Sequence, residues 1–345
     1  MNNLLEATNV SKTFSSGLIR KSINHALTDV SLAMGKNDPT ILAVAGESGS
    51  GKTTLARILL DMTRPTSGEI FYNGSSIYGL SNQDYSSYRR DVQAVFQDPF
   101  EVYNPFYKVD TVLKTPAKKF GIGETERQRQ LAIEEALDLA GLRPDETLGR
   151  YPHQLSGGQR QRIMVARAIL IKPRLIIADE PVSMVDASLR ATILKTLLDL
   201  NHKFGISMIY ITHDLTTAFQ ISDHIAILYQ GKIAEAGNAE RVIKDPSHPY
   251  TQLLINSIPK ATPHVKWDSS SNKVDSTVHI GNGCSFQPRC IKAMEKCVNN
   301  EPPLYQVKDD KAAKCFLYDK LPIIDNRDLP KIMLKKTFDR EKFVR

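Results

Sequence analysis

Over roughly the first 250 residues, apolar positions follow two alternating rhythms. Short unbroken runs occur at Ile41 to Ala45, Val92 to Phe96, Leu175 to Ala178 and Ser207 to Thr212. They are too brief for helices and read as strands buried on both faces. Between them lie stretches with helical spacing: Lys52 to Leu60, Glu126 to Ala140, about Arg160 to Ile171, and Ala187 to Phe204. Gly141 is placed to end the second of these. From Ile225 to Gly237, Gln230-Gly231-Lys232 separates two apolar runs and predicts a hairpin. Strands alternating with helices predict an α/β fold around a largely parallel sheet.

The rhythm stops near Pro259. Residues Pro259 to Gly283 are rich in Ser, Pro, Asn and Gly and read as a linker or irregular segment. A cysteine-containing stretch follows, then a basic tail. We therefore expect a main domain over 1–258, a C-terminal extension over 259–320 and a tail over 321–345. The chain of 345 residues is 41% hydrophobic, enough for one large core and an appendage. No apolar run reaches about 18 residues, so no transmembrane helix is predicted. The opening MNNLLEATNVSKTF lacks a basic segment followed by an apolar one, which predicts a cytosolic chain without a signal peptide.

The formal net charge of +7 is a mild excess and does not imply nucleic acid. It is uneven: Arg327 to Arg345 holds seven basic and three acidic residues. That segment suits either a solvated tail or contact with anionic headgroups.

The chemistry begins at Gly46-Glu47-Ser48-Gly49-Ser50-Gly51-Lys52-Thr53, followed by Thr54, between a predicted strand and a predicted helix. This is the G-x-x-x-x-G-K-S/T pattern of a P-loop. The glycines let backbone N–H groups close around phosphate oxygens, and the helix presents its positive end to the same anion. Lys52 supplies charge to the β- and γ-phosphates, and the Thr53 hydroxyl can ligate Mg²⁺. A second signal lies 127 residues beyond Lys52, where the strand Leu175 to Ala178 ends in Asp179-Glu180. Asp179 fits a carboxylate serving Mg²⁺, and Glu180 a group that orients or deprotonates the attacking water.

Those motifs say only that a nucleoside triphosphate is bound. Leu155-Ser156-Gly157-Gly158-Gln159 narrows the reading. A hydroxyl and bare amides just before a helix make an anion site. The segment resembles the signature of ABC ATPases, which P-loop kinases, GTPases and helicases lack. The resemblance implies a mostly parallel sheet core, an antiparallel β subdomain, a helical subdomain over about 98–171 and a small irregular C-terminal lobe. It also implies that Ser156, Gly157, Gly158 and Gln159 complete the ATP pocket of a facing cassette. Further positions follow the family's order. Gln97 resembles the glutamine that senses Mg²⁺ and the attacking water, beside the surface that meets the membrane subunit. His213 resembles the switch histidine at the γ-phosphate. Phe14 resembles the aromatic that stacks on adenine, and Ser183-Met184-Val185-Asp186 the loop whose aspartate is Asp186. Met184-Val185 departs from the usual Ala-Leu of that loop and is nearer to the sugar-moving members.

His248 to Leu254 and Gly283 to Cys290 resemble the extension of the oligopeptide, dipeptide and nickel branch, as does Gln97 to Pro105. Membership implies an importer with a second, related cassette, two membrane permease subunits and an extracytoplasmic binding protein, working at the cytoplasmic face of the membrane as a peripheral subunit. Oligopeptides are the default cargo of that branch, with oligosaccharides or nickel as alternatives. A soluble ABC ATPase of translation or DNA repair is the competing class, but one cassette without a long coiled-coil insertion argues against it.

All four cysteines lie between Cys284 and Cys315. In a cytosolic chain that clustering points to a metal rather than to disulfides. Five, six and seventeen residues separate Cys284, Cys290, Cys297 and Cys315, unlike the tight pairs of zinc ribbons or the compact ferredoxin run. Free thiols and zinc remain open on spacing alone. The resemblance implies a structural 4Fe–4S cluster on these four residues.

Overall fold

A computed structural model describes residues 3–16, 22–98, 103–183, 185–258 and 283–333. The 259–282 segment, Pro99 to Val102, Met184 and the tail from 334 onward lie outside the described residues. In chain order the elements are β1 (Asn3–Ser16), β2 (Ser22–Gly35), β3 (Ile41–Ala45), α1 (Lys52–Leu59), β4 (Ser67–Tyr72), β5 (Ser75–Ser76), α2 (Asn82–Asp91), β6 (Val92–Val95), α3 (Asp110–Lys119), α4 (Glu126–Leu139), α5 (Pro144–Thr147) and α6 (Gly157–Leu170). There follow β7 (Leu175–Asp179), α7 (Ala187–Phe204), β8 (Ser207–Thr212), α8 (Leu215–Ile221), β9 (His224–Tyr229), β10 (Lys232–Asn238), α9 (Ala239–Lys244), α10 (Pro249–Asn256), α11 (Glu295–Asn299), β11 (Leu304–Lys308), β12 (Lys311–Ala313), β13 (Ile323–Ile324) and α12 (Leu329–Met333).

The apolar runs become the centre of one sheet, ordered β13-β11-β12-β10-β9-β3-β8-β7-β6. Strands β6, β7, β8, β3 and β9 run parallel to one another, and β10 pairs antiparallel with β9. Every residue of β3, β7, β8 and β9 is buried, as continuous apolar sequence requires of strands covered on both faces. A second, antiparallel sheet of order β2-β1-β4-β5 stands beside it. Helices α3, α4 and α6 share a separate core built on Leu113, Ile133, Leu137, Ile163 and Met164. Local chemistry sets the boundaries. Thr125 and Gln128 form a reciprocal cap at the start of α4. Gly205, with φ 67°, ends α7. Gln230 and Gly231, with φ 43° and 77°, make the two-residue turn between β9 and β10.

The C-terminal segment is less separate than its composition suggests. Strand β12 pairs with β10 through Glu235↔Ala313, Ala236↔Ala312 and Gly237↔Lys311, so the extension prolongs the main sheet. Leu304, Ala312, Leu329, Ile332 and Met333 join the same core as β3 and α1. The junction buries charge. Lys311 and Glu235 are both 0% exposed, with the ammonium 3.8 Å from the carboxylate. Glu235 also accepts the backbone N–H groups of Ser247 and His248, at 2.9 and 2.8 Å. Burial pushes the Glu235 carboxyl up, and those two hydrogen bonds and Lys311 oppose the shift.

Removing one partner of such a pair strands the other charge. Lys311→Met should lower the free energy of urea unfolding by about 3–5 kcal/mol. Adding Glu235→Gln should return part of that loss. Wild-type stability in Lys311→Met would contradict this account of the junction.

Candidate functional site

The 46–53 loop joins β3 to α1 and wraps the mouth of a cavity of about 760 Å³. Gly51, the residue before α1, has φ 102°, and a Cβ there would lie 2.3 Å from the carbonyl oxygen of Ala26. Only glycine fits that position. Lys52 is buried, its Nζ donating to the carbonyls of Gly46 and Glu47 at 2.8 and 2.9 Å. Burial lowers its pKa, while the charges of Glu180, Asp179 and Glu47 pull it back up. The ammonium is thus held at the cavity, tied only to loop carbonyls.

Strand β7 delivers the carboxylates. Asp179 is buried, and burial raises its pKa, with a hydrogen bond from Thr53 acting the other way and the charge of Glu180 adding to the rise. Its Oδ1 is buried without a protein partner. A hard cation fits that oxygen beside the Thr53 hydroxyl. Glu180 turns into the cavity with φ 46°, a conformation rare outside glycine. Its Oε2 accepts from Gln97 Nε2 at 3.0 Å, and its Oε1 lies 3.0 Å from His213 Nδ1. Gln97, Glu180 and His213, from the ends of β6, β7 and β8, therefore form one polar chain across the cavity from Lys52. Phe14 lines the same cavity with Ser48, Gly49, Thr53 and Thr54.

Residues 27–183 match the family described as ABC transporter, and residues 234–297 match the oligopeptide/dipeptide transporter C-terminal region. The dipeptide transport ATP-binding protein DppF of Haemophilus influenzae is 38% identical over 280 residues, covering 81% of this chain and 85% of that protein. The chain belongs to the ABC transporter ATP-binding family. A dimeric ATP-binding cassette solved in a post-hydrolysis state with ADP and phosphate superposes on this ABC ATPase with a TM-score of 0.59. It is 27% identical and covers 68% of this chain and 98% of its own. A second dimeric structure of that same bacterial cassette gives a TM-score of 0.60 at 27% identity, with the same coverage. Among the described residues no helix is long and apolar enough to cross a membrane.

Other expected residues of this ABC ATPase stand away from the cavity. Gly46, Ser50 and Asp179 lie behind its lining, and Ser156 to Gln159 and Asp186 do not border it. Helix α6 starts at Gly157, three residues before the expected Arg160. Ser156 caps it: its hydroxyl accepts the Gln159 N–H at 3.1 Å, while Gln159 Oε1 accepts the Ser156 N–H at 2.9 Å. Gln159 thus has a local structural role. Asp186 is the exposed residue before α7. Asn24, Ala26, Glu47 and Leu254 line the cavity without having been singled out from the sequence. Glu47 lies inside the P-loop pattern and Leu254 ends the His248 to Leu254 motif, whereas Asn24 and Ala26 carried no signal.

The four cysteines carry free thiols and line one small cavity together with His248 and Phe286. Burial raises the pKa of Cys284, Cys290 and Cys315, the last to about 11, and neighbouring thiols add to each rise. Among the described residues no three His, Cys, Asp or Glu side chains are grouped so as to hold a metal ion. The four thiols share one cavity, but the expected metal-holding group is not found among the described residues.

The loop geometry separates two glycines. Gly49 has φ 78° with open space around its missing Cβ, whereas Gly51 faces a backbone oxygen. Gly49→Ala should cost about 1 kcal/mol of backbone strain. Gly51→Ala should cost more and displace the loop, with loss of Mg-ADP binding. Urea unfolding and nucleotide titration check both, and equal effects of the two substitutions would contradict the geometry.

Proposed function

We propose that this ATPase hydrolyses ATP at a site shared with a second, related cassette, and that closure of the pair drives import of peptides through two membrane permease subunits. The polar chain Gln97–Glu180–His213 facing Lys52 and the Thr53–Asp179 pair carries this reading. Lys52 and the amides of Gly49, Ser50, Gly51, Thr53 and Thr54 would cradle the phosphates, with Gly46 and Ser48 shaping the loop. Thr53, Asp179 and Gln97 would hold Mg²⁺, which supplies charge neutralisation at the phosphates. Glu180 orients and deprotonates the attacking water, and His213 positions Glu180 and meets the γ-phosphate. Phe14, half exposed with Lys12 Nζ 5.0 Å above its ring, offers a face for adenine.

Ser156, Gly157 and Gly158 fit the partner's ATP because they do not border this chain's own site and lie at a helix start, where Ser156 is exposed and Gly157 half-buried. Gln159 supports them through the cap, and Asp186 faces the same seam. The dimeric state of the solved cassette, seen in both of its structures, supports the pairing. For the permease, a groove of about 570 Å³ opens between α2, β6 and α3, with Arg89, Phe96, Tyr103, Tyr107 and Lys108 on its walls. Phe106, 85% exposed, stands at its rim next to Tyr107. An apolar groove beside Gln97 would let a docked membrane helix sense the γ-phosphate. That docking would hold the chain at the cytoplasmic face of the membrane. Peptide cargo is supported by the name of the Haemophilus influenzae relative, a dipeptide transport ATP-binding protein, and in this reading an extracytoplasmic binding protein delivers it. The oligosaccharide alternative rests on Met184-Val185, of which Met184 lies outside the described residues, and no nucleic acid is called for.

The thiol-lined cavity supports a 4Fe–4S cluster on Cys284, Cys290, Cys297 and Cys315 by donor type. Four thiols and no carboxylate line it. A bound cation would also reverse the raised thiol pKa values. Its place is structural, binding a short-stranded lobe together.

Glu180→Gln in both cassettes of the assembly should leave ATP bound and cut phosphate release about 100-fold or more. Unchanged turnover would overturn the assignment. Anaerobic purification should yield a brown protein with about four irons per chain. An iron-free, colourless preparation with four titratable thiols would remove the cluster from this account.

A further inference from the structure

Among the cavities, charged clusters and exposed faces of the molecule, one contact joins the cysteine-bearing lobe directly to the phosphate loop. Arg289 donates from Nη1 and Nη2 to the two carboxylate oxygens of Glu47, each bond 2.8 Å long. We infer that Arg289 is a positioning residue for nucleotide binding, fixing the shape of the 46–53 loop and neutralising Glu47 beside the polyphosphate. The inference rests on the reading of that loop as the ATP site.

An exposed ion pair contributes little as a rule, and these side chains are 31% and 38% exposed. Three features set this pair apart. The fork is bidentate, which fixes orientation as well as distance. The guanidinium lies 5.8 and 5.7 Å from the ring centres of Tyr229 and Phe286, so packing orders it before Glu47 is engaged. Those rings close a triangle with Tyr250, at centroid distances of 4.5, 5.2 and 5.4 Å. The Tyr250 hydroxyl in turn accepts the Glu47 backbone N–H at 2.9 Å. The Glu47 carbonyl accepts from Lys52 and from the backbone N–H of Ser50. Every polar group of Glu47 is thus engaged: outward to the lobe and to α10, inward to the lysine that meets the phosphates.

The charge argument points the same way. Glu47 borders the nucleotide cavity, where an unpaired carboxylate would repel a polyphosphate. The 284–290 segment supplies the opposing cation from a chain distance of 242 residues. Phe286, which helps to order Arg289, also walls the thiol-lined cavity. The packing of that lobe therefore bears on the phosphate loop through two adjoining contacts.

The test is titration of the purified full-length chain with a fluorescent Mg-ADP analogue, since ADP needs no second cassette. Arg289→Ala should weaken binding about tenfold. Arg289→Lys, which keeps the charge but not the fork, should recover part of the affinity. In a Glu47→Gln background, Arg289→Ala should add less than about a twofold loss, because both changes break one interaction. Thermal unfolding of each variant separates the roles: a merely structural contact would lower the melting temperature and leave affinity unchanged, which would overturn the inference. A full further tenfold loss in the double variant would overturn it too. Should Arg289→Ala not fold, Arg289→Lys and Glu47→Gln carry the comparison, with wild-type affinity in both counting against the inference. Lys52→Ala tests the underlying reading separately: retained binding there would mean the loop is not the nucleotide site, whatever Arg289 does.

Discussion

The working half of this molecule depends on one steric constraint: the turn from β3 into α1 must expose backbone N–H groups to an anion with no Cβ in the way. Gly51 meets that demand against the Ala26 carbonyl. Gly46 meets it against the Leu228 carbonyl, 2.2 Å from where its Cβ would be. The buried sheet then fixes everything else by register. Because β3 pairs with β8, and β8 with β7, the ends of three parallel strands arrive at one level. Asp179, Glu180 and His213 are therefore delivered to the loop by the main-chain ladder. No local preference of their own is required.

The same register explains how much could be read from sequence. Continuous apolar runs, a glycine-rich turn and carboxylates at a strand end are one-dimensional signals, and the strands and helices carrying them occur where the pattern puts them. β3, α7 and β8 match to the residue. Helix α6 began earlier than expected because the Ser156–Gln159 cap lets Gly157 and Gly158 enter the helix despite their low propensity. The annexed hairpin β11–β12 was not legible, since its pairing with β10 spans a compositionally irregular segment. The contacts of Asn24, Leu254, Tyr250 and Arg289 were equally hidden. They depend on tertiary approach between distant elements, for which no spacing rule exists. The cysteines sit between these extremes: their clustering in sequence suggested a metal, and their convergence on one cavity is tertiary.

Two features of the fold connect nucleotide chemistry to motion. Gln97 follows the end of β6, between the nucleotide cavity and the groove proposed for the permease, so a shift at Glu180 reaches that groove through a single hydrogen bond. On the other side, the C-terminal extension is welded to the sheet by β12 and by the buried Lys311–Glu235 pair. It can press on the phosphate loop because it is anchored to the same sheet that carries the loop. The start of α6, where Ser156 is exposed, does not border this chain's own cavity.

That unused helix start tests the central claim, that this chain provides half of each of two shared ATP sites. The measurement is ATP-dependent pairing of cassettes, followed by cross-linking, in a Ser156→Arg variant. The substitution should leave Mg-ADP binding at this chain's own loop at the wild-type level. It should also abolish the ATP-dependent pair, because a bulky cation would occupy the seat of the partner's γ-phosphate. Pairing that persists in Ser156→Arg with ATP bound would contradict the shared-site account.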